Sequence, residues 1–321
     1  MVSNNMSDRR EEKEEGFLRT RTATIIFYIG FVLFLVFILY KNRDTFDTLS
    51  LQNAHLFIVV LILLFIIACT RSLLIRISFN FGTKKLGFFD SYKLLTISVI
   101  GNYLPFSGGL IARGYLLKRD HGISYKHYTV ISVYILIVGF VVSGLVGIIS
   151  TLIVKPESHL LLAGFALMLL PVVLFFIPIP NISFITKYLP PGELNEPRRY
   201  FKSVAPKIFI IFIVLAIEGA LSLLFCFMIF GQDIPFINIL LLCSGNVLTR
   251  IITISPGAVG IREGIAAALA YIIGVDYQLT IIAIGVDRLA EIIISFGTLG
   301  IITIWEKMSG NSMRQPGRDE Q

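Results

Sequence analysis

Arg262 and Glu263 stand side by side in "SPGAVGIREGIAAALAYIIGV", Ser255 to Val275, at the head of a run that is otherwise apolar. Other ionisable residues occupy similar surroundings. Glu218 is the eleventh of 24 residues in Ile208–Gly231, Arg250 lies one turn from the end of Ile237–Ile254, and Asp287, Arg288 and Glu291 fall in the first half of Leu279–Trp305. An ionisable side chain at the centre of a membrane-spanning helix costs ~2.5–3.5 kcal/mol on insertion scales. A sequence needing only packing could place leucine or small residues there. Asp287 and Glu291, at i and i+4, share one helix face, with Arg288 next to them. The first N–H groups of a segment opening near Gly260 lack intrahelical partners and make an anion site. Glycines at Gly257 and Gly260 let backbone approach a ligand, and Arg262 can grip phosphate bidentately. The chemistry these residues suggest is the binding of a charged, phosphate-bearing headgroup. The competing reading is structural: Arg250, Arg262 and Arg288 could neutralise Glu263, Asp287 and Glu291 three for three, as buried pairs do.

The elements that must carry these charges are membrane helices. Of 321 residues, 55% are hydrophobic and 15% charged, well below the roughly 25% charged content of soluble domains. Because ~20 apolar residues span a hydrocarbon core, the apolar runs give helices at Ala23–Tyr40, Leu56–Ile75, Tyr128–Val154, Leu160–Ile179, Ile208–Gly231, Ile237–Ile254 and Leu279–Trp305. The expected fold is all-α, a polytopic membrane helical bundle. Continuous blocks such as "YILIVGFVVSGLVGIISTLIV" do not alternate as barrel strands do. Residues 1–22 read as a charged cytoplasmic tail, 23–305 as one transmembrane domain and 306–321 as a polar tail. Ala23–Tyr40 is expected to be retained as a helix, not cleaved as a signal peptide. Cys69, Cys226 and Cys243 lie in apolar runs without metal-ligand spacing and read as packing residues. The net charge of +7 reports orientation in a membrane protein, so no nucleic-acid partner is expected. No cofactor or metal is expected either, since His55, His121, His127 and His159 are scattered and no nucleotide-binding loop occurs.

Counting Lys and Arg loop by loop under the positive-inside rule places both termini in the cytoplasm. The count closes only if the segment between Lys93 and Arg113 returns to the side it left. Its apolar part, Leu94 to Leu104, reaches ~16 Å at 1.5 Å per residue, short of a core of ~30 Å. A re-entrant segment turning at "NYLPFSGG" is expected, broken by Pro105, Gly108 and Gly109. "NYLPFSGGLIAR" (Asn102–Arg113) and "RIITISPGAVGIRE" (Arg250–Glu263) share an apolar approach, a Pro (Pro105, Pro256), a glycine break and an Arg (Arg113, Arg262). Each is flanked by long helices, which predicts two inverted repeats, about 55–154 and 208–305. Paired interrupted segments of this kind point to a midplane substrate site. Asn102 and Asn246 could add neutral hydrogen bonds.

At these two motifs the sequence resembles the transmembrane region of lysylphosphatidylglycerol synthases, a flippase-like family. "NYLPFSGGLIARGYLLKRDHGIS" is similar to the family's Asn, Leu-Pro, Gly, Arg, Gly pattern, and "PGAVGIREG" to its Pro-Gly…Gly…Arg-Glu pattern. The resemblance runs from about Ala23 to Ile304. It implies a multi-pass inner-membrane protein whose relatives move, or are proposed to move, modified phospholipids or lipid-linked sugars. Asn102, Gly109 and Arg113 carry over from the first motif, and Pro256, Gly257, Gly260, Arg262 and Glu263 from the second. Leu110 stands where family members often have an acidic residue, and Ala258 replaces a frequent glycine. The synthases' aminoacyl-transferase domain is not expected here.

Three functions fit. The first is a lipid translocase passing the headgroup of a membrane phospholipid or polyprenyl-linked lipid through the charged cluster. Glu218 is its coupling residue, since a carboxylate at mid-depth pays most for carrying charge; Asp287, Arg288 and Glu291 complete the network. The second is a membrane-embedded headgroup transferase or hydrolase using Glu263 or the Asp287/Glu291 pair as general base. The third is a scaffold for glycan- or lipid-modifying enzymes.

Overall fold

The structure is a computed structural model and describes residues 53, 55–80, 85–102, 108–170, 197–245 and 260–308. These belong to one compact unit within Gln52–Gln321. The anticipated helix Ala23–Tyr40, the N-terminal tail, the C-terminal tail from residue 309, and Pro105, Asn246, Arg250, Pro256 and Gly257 lie outside the described residues.

Among the described residues the fold is all-helical. The helices are α1 (His55–Phe79), α2 (Phe88–Asn102), α3 (Gly108–His121), α4 (Tyr125–Val154), α5 (His159–Leu167), α6 (Pro197–Ile229), α7 (Phe236–Ser244), α8 (Ile261–Ile273) and α9 (Tyr277–Met308). His55–Phe79, Tyr125–Val154 and Ser203–Ile229 are each long and apolar enough to cross a membrane. Helix α9 is 32 residues long and carries Asp287, Arg288 and Glu291. Local signals set several boundaries. Ser124 caps α4 by accepting from the His127 N–H at 3.3 Å. Gly260 opens α8 at φ +82° and Gly274 closes it at φ +75°, backbone conformations that L side chains adopt only at a cost.

The segment anticipated as re-entrant forms a tight pair of short helices. At ~1.5 Å per residue, α2 is ~22 Å long and α3 ~21 Å, so neither spans a core of ~30 Å alone. Glycines bring their backbones together: a Cβ on Gly101 would lie 2.8 Å from the Gly109 Cα, and a Cβ on Gly109 would overlap the Ser98 carbonyl oxygen and the Asn102 Oδ1. The pair α7 and α8 is shorter still, at nine and 13 residues. The anticipated spanning helix Ile237–Ile254 is helical over Phe236–Ser244; its remainder lies outside the described residues.

Helix α1 packs most extensively on α6. The other neighbours fall into matched sets. Helix α2 touches α1, α3 and α9, as α7 touches α6, α8 and α4; α3 packs on α4, as α8 packs on α9. Helix α1 also meets α9 and α4, as α6 meets α4 and α9. The largest core cluster joins α1, α6, α7, α8 and α9 around Val60, Leu64, Phe227, Ile239, Leu242 and Ile284. Helix α5 adds Phe165, which sits directly on Gly147 of α4. Large apolar side chains remain on the outside along the long helices, among them Ile58, Ile62, Ile149, Ile210 and Ile217. That is the pattern of helices whose outer face meets hydrocarbon.

Candidate functional site

Four helices bring their charges to one place. Helix α1 contributes Thr70 and Arg71, α6 contributes Glu218 and Ser222, α8 contributes Arg262 and Glu263, and α9 contributes Asp287, Arg288 and Glu291. Glu218 and Ser222 are at i and i+4, as are Asp287 and Glu291, so α6 and α9 each present a two-residue polar stripe. The stripes are answered in register. Ser222 Oγ donates to Asp287 Oδ1 at 2.7 Å, and Thr70 Oγ1 donates to Glu218 Oε1 at 2.9 Å. Arg71 Nη1 meets Glu291 Oε1 at 2.5 Å.

Arg262 and Glu263 do not pair with one another. Arg262 Nη2 donates to Asp287 Oδ2 at 2.9 Å, and the Arg288 guanidinium lies 2.9 Å from Glu263 Oε1. Two adjacent residues of α8 are thus tied to two adjacent residues of α9. Asp287 and Arg288 are each 6% exposed, so these ties are made away from bulk water and breaking one leaves a charge without compensation. The second Glu263 oxygen, Oε2, accepts from the Gly260 N–H at 2.8 Å. One donor of the anticipated helix N-terminal anion site is therefore engaged by the chain's own carboxylate.

Three ion pairs form, as the structural reading of the sequence anticipated; the partner on Glu291 is Arg71, which that reading did not name, while Arg250 lies outside the described residues. Arg71 escaped notice because it lies inside the apolar run Leu56–Ile75. The signal that singled out Glu218, a charge deep in an apolar run, applies equally to it. Thr70, Ser98 and Ser222 gave no signal, since hydroxyls are common where membrane helices touch.

Two charges of the set lack an opposite-charge partner among the described residues. Glu218 makes no ion pair: its hydrogen bond is to the Thr70 hydroxyl, its Oε2 is buried without one, and the Arg71 cation acts on it from a distance. Arg113 has only Ser98, whose Oγ accepts from its Nε at 2.8 Å while Ser98 itself donates to the Leu94 carbonyl at 2.6 Å. Gly109 is buried at the α2–α3 contact and Asn102 lies exposed at the end of α2. Both shape the hairpin that places Arg113. A pocket next to the Arg71–Glu291 pair is lined by Tyr92, Thr96, Ser295 and Thr298 together with Leu95 and Val99.

Neither the comparison with curated proteins nor that with solved structures gave a match. The model of one family, described as the lysylphosphatidylglycerol synthase transmembrane region, matches residues 23–297. The fold and the charged helix contacts are those of a membrane protein, and the chain belongs to the lysylphosphatidylglycerol synthase transmembrane-region family.

Proposed function

We propose that the protein is a lipid translocase that moves a charged phospholipid or lipid-linked sugar between leaflets, the headgroup crossing beside the intramembrane charges while the tails stay in the bilayer. The observation that carries this reading is the unequal use of those charges. Three ion pairs fasten α1, α8 and α9, whereas Glu218 and Arg113 stand outside the pairing. A purely structural cluster has no need of either, because an uncompensated charge in the membrane is costly. Arg113 is suited to an anionic group and Glu218 to a proton exchanged with it. In this reading Asn102, Pro105, Gly109, Arg250, Pro256, Gly257 and Gly260 belong with Arg113, Arg262 and Glu263 to the set that binds the headgroup, and Asp287, Arg288 and Glu291 join Glu218 in the charge network beside it.

The matched contacts of α1–α4 and α6–α9 support two inverted repeats about the α1–α6 crossing, with broken segments entering from opposite faces. The reading places the protein in the cell's inner membrane with both termini cytoplasmic, on the distribution of Lys and Arg. Enzymes that make or consume the transported lipid are the natural partners.

The test is leaflet exchange of labelled phospholipids and polyprenyl-linked sugars in proteoliposomes. Intact protein is expected to exchange at least one of them, Arg113→Gln to lose most of that exchange, and Glu218→Gln to flatten its dependence on pH. Exchange absent across the whole panel refutes the reading, and a pH profile unchanged in Glu218→Gln removes the coupling role.

A further inference from the structure

The corner between α3 and α4 presents two ammonium groups that no carboxylate of the described residues takes up. Its backbone is fixed. Gly122 sits at φ +67°, where its N–H donates to the Lys118 carbonyl and the Ile123 N–H to the Leu117 carbonyl, each at 3.1 Å, the helix-ending pattern that a left-handed glycine allows. Leu117 and Ile123 are buried in one cluster with Phe79 and Tyr128, and Ser124 caps α4 directly afterwards. The last turn of α3 is thereby held against the first turn of α4, and Lys118 Nζ lies 4.6 Å over the Tyr125 ring, within cation–π range. Arg119 is already compensated: its Nε and Nη2 donate to the two Asp120 oxygens at 2.6 and 3.0 Å. Lys118 and Lys126 are exposed and make no ion pair among the described residues.

Away from these cations the two helices turn apolar in step. Ile111, Tyr115 and Lys118 share one face of α3, and Val133, Thr129 and Lys126 one face of α4. Ile111 is 67% exposed and Val133 49%. From Ile111 to Lys118, and from Val133 to Lys126, the rise is ~10 Å. Both faces therefore pass from hydrocarbon to charge over the same depth. Lysine and tyrosine serve as interfacial anchors in many membrane proteins. This corner differs in being preorganised, so a bound headgroup need not order its partners. It is also separate from the proposed path, because Arg113 lies about 140° round α3 from Lys118 and is bonded to Ser98 of α2.

We propose that Lys118 and Lys126 hold the headgroup of an anionic phospholipid of the surrounding leaflet, its phosphate shared by the two ammonium groups and an acyl chain lying along Ile111 and Val133. Basic clusters between membrane helices select lipids by net negative charge. A zwitterionic headgroup brings its own ammonium to the phosphate and gains less from the lysines. The lipid at this corner is a resident anchor of the α3–α4 turn and not cargo, so the inference stands apart from the translocase reading.

Native mass spectrometry of the detergent-purified full chain, titrated with dioctanoyl phosphatidylglycerol or dioctanoyl phosphatidylcholine, measures the preference, and hydrogen exchange over 118–129 in the same mixtures locates it. The intact protein is expected to bind phosphatidylglycerol at least tenfold more tightly and to exchange more slowly in that segment when it does. Lys118→Gln/Lys126→Gln should cut the preference to threefold or less and abolish the slowing with an unchanged unfolding midpoint, since both side chains are exposed. Arg76→Gln, which removes an exposed cation at the same end of the bundle, should leave both readouts intact, and so should Arg113→Gln. Equal affinity for the two lipids in the intact protein, or slowing elsewhere but not over 118–129, overturns the site. A loss in Arg76→Gln as complete as in the lysine variant also overturns it, by revealing a diffuse surface field. A preference that falls with Arg113→Gln and survives the lysine variant puts the lipid in the path, which sinks the corner and spares the translocase. Preference and slowing at the corner without leaflet exchange in proteoliposomes sink the translocase alone.

Discussion

The tie between α8 and α9 can be weighed by a double-mutant cycle on Arg262 and Asp287. Each oxygen of the Asp287 carboxylate has its own partner: Oδ1 takes Ser222 at 2.7 Å and Oδ2 takes Arg262 at 2.9 Å. Removing Arg262 strands a buried carboxylate, a loss of ~3–5 kcal/mol for a fully buried pair. The bond to Ser222 survives, so the expected cost of Arg262→Ala is at the lower end, ~3 kcal/mol. Asp287→Ala strands the guanidinium and should cost a similar amount. Removing both leaves no unmatched charge, and the double variant should fall well short of the sum, with a coupling of ~2–3 kcal/mol. The comparison that gives this meaning is Arg119–Asp120, an exposed pair at 2.6 Å at the end of α3, whose coupling should stay below ~0.5 kcal/mol. Reversible unfolding in mixed detergent micelles with rising dodecyl sulfate fraction supplies all the free energies. If the Arg262 and Asp287 losses add to within ~0.5 kcal/mol, the pair is not fastening the helices and the account of the cluster given above is wrong.

Gly109→Ala should cost ~1–3 kcal/mol by overpacking, because its Cβ would overlap backbone and side chain of α2; thermal unfolding of the purified variant reads this, and an unchanged midpoint refutes the close α2–α3 contact. Gly260→Ala should destabilise by ~1–2 kcal/mol because of its left-handed backbone, whereas Gly264→Ala, inside α8 with open space at its Cβ, should stabilise by ~0.5–1 kcal/mol. The same sign for both sinks the α8 start at Gly260. Lys155 Nζ donates to the Ile272 carbonyl at 2.7 Å, a cation at a helix C-terminus; Lys155→Ala should cost ~0.3–1 kcal/mol and speed hydrogen exchange in the last turn of α8. Faster exchange in α4 alone would show that the lysine serves its own helix instead.

How much of this was legible in the sequence follows from the range of each signal. Apolar run length is local: α1, α4 and α9 each contain the run read from it, and α6 covers its run as far as Ile229. Deep charges are also local, which is why Glu218, Arg262, Glu263, Asp287, Arg288 and Glu291 could be named and do converge. Partner choice is not local: that Arg262 meets Asp287, and not its neighbour Glu263, depends on how α8 lies against α9, and 25 residues separate the two. Arg71 was legible by the same criterion as Glu218 but was masked by the length of its apolar run. The Pro in each broken motif signalled an interruption, while the glycine contacts at Gly101 and Gly109 needed the two helices side by side to become visible.

Thr70 and Arg71 are consecutive residues of α1, pointing about 100° apart around its axis. One is bonded to α6 and the other to α9. Helix α1 therefore cannot roll in either sense without pulling one side chain from its acceptor. Through Arg262–Asp287 and Glu263–Arg288 the same restraint extends to α8. These four helices form a chassis bolted by charge. The α2–α3 pair is attached differently, by neutral hydroxyl-to-carbonyl bonds from Ser72 to Phe88 and from Tyr128 to Leu110, each worth only ~0.6 kcal/mol on average between membrane helices. On the translocase reading proposed above, the part that moves is the α2–α3 pair, which carries Arg113, sliding against this frame.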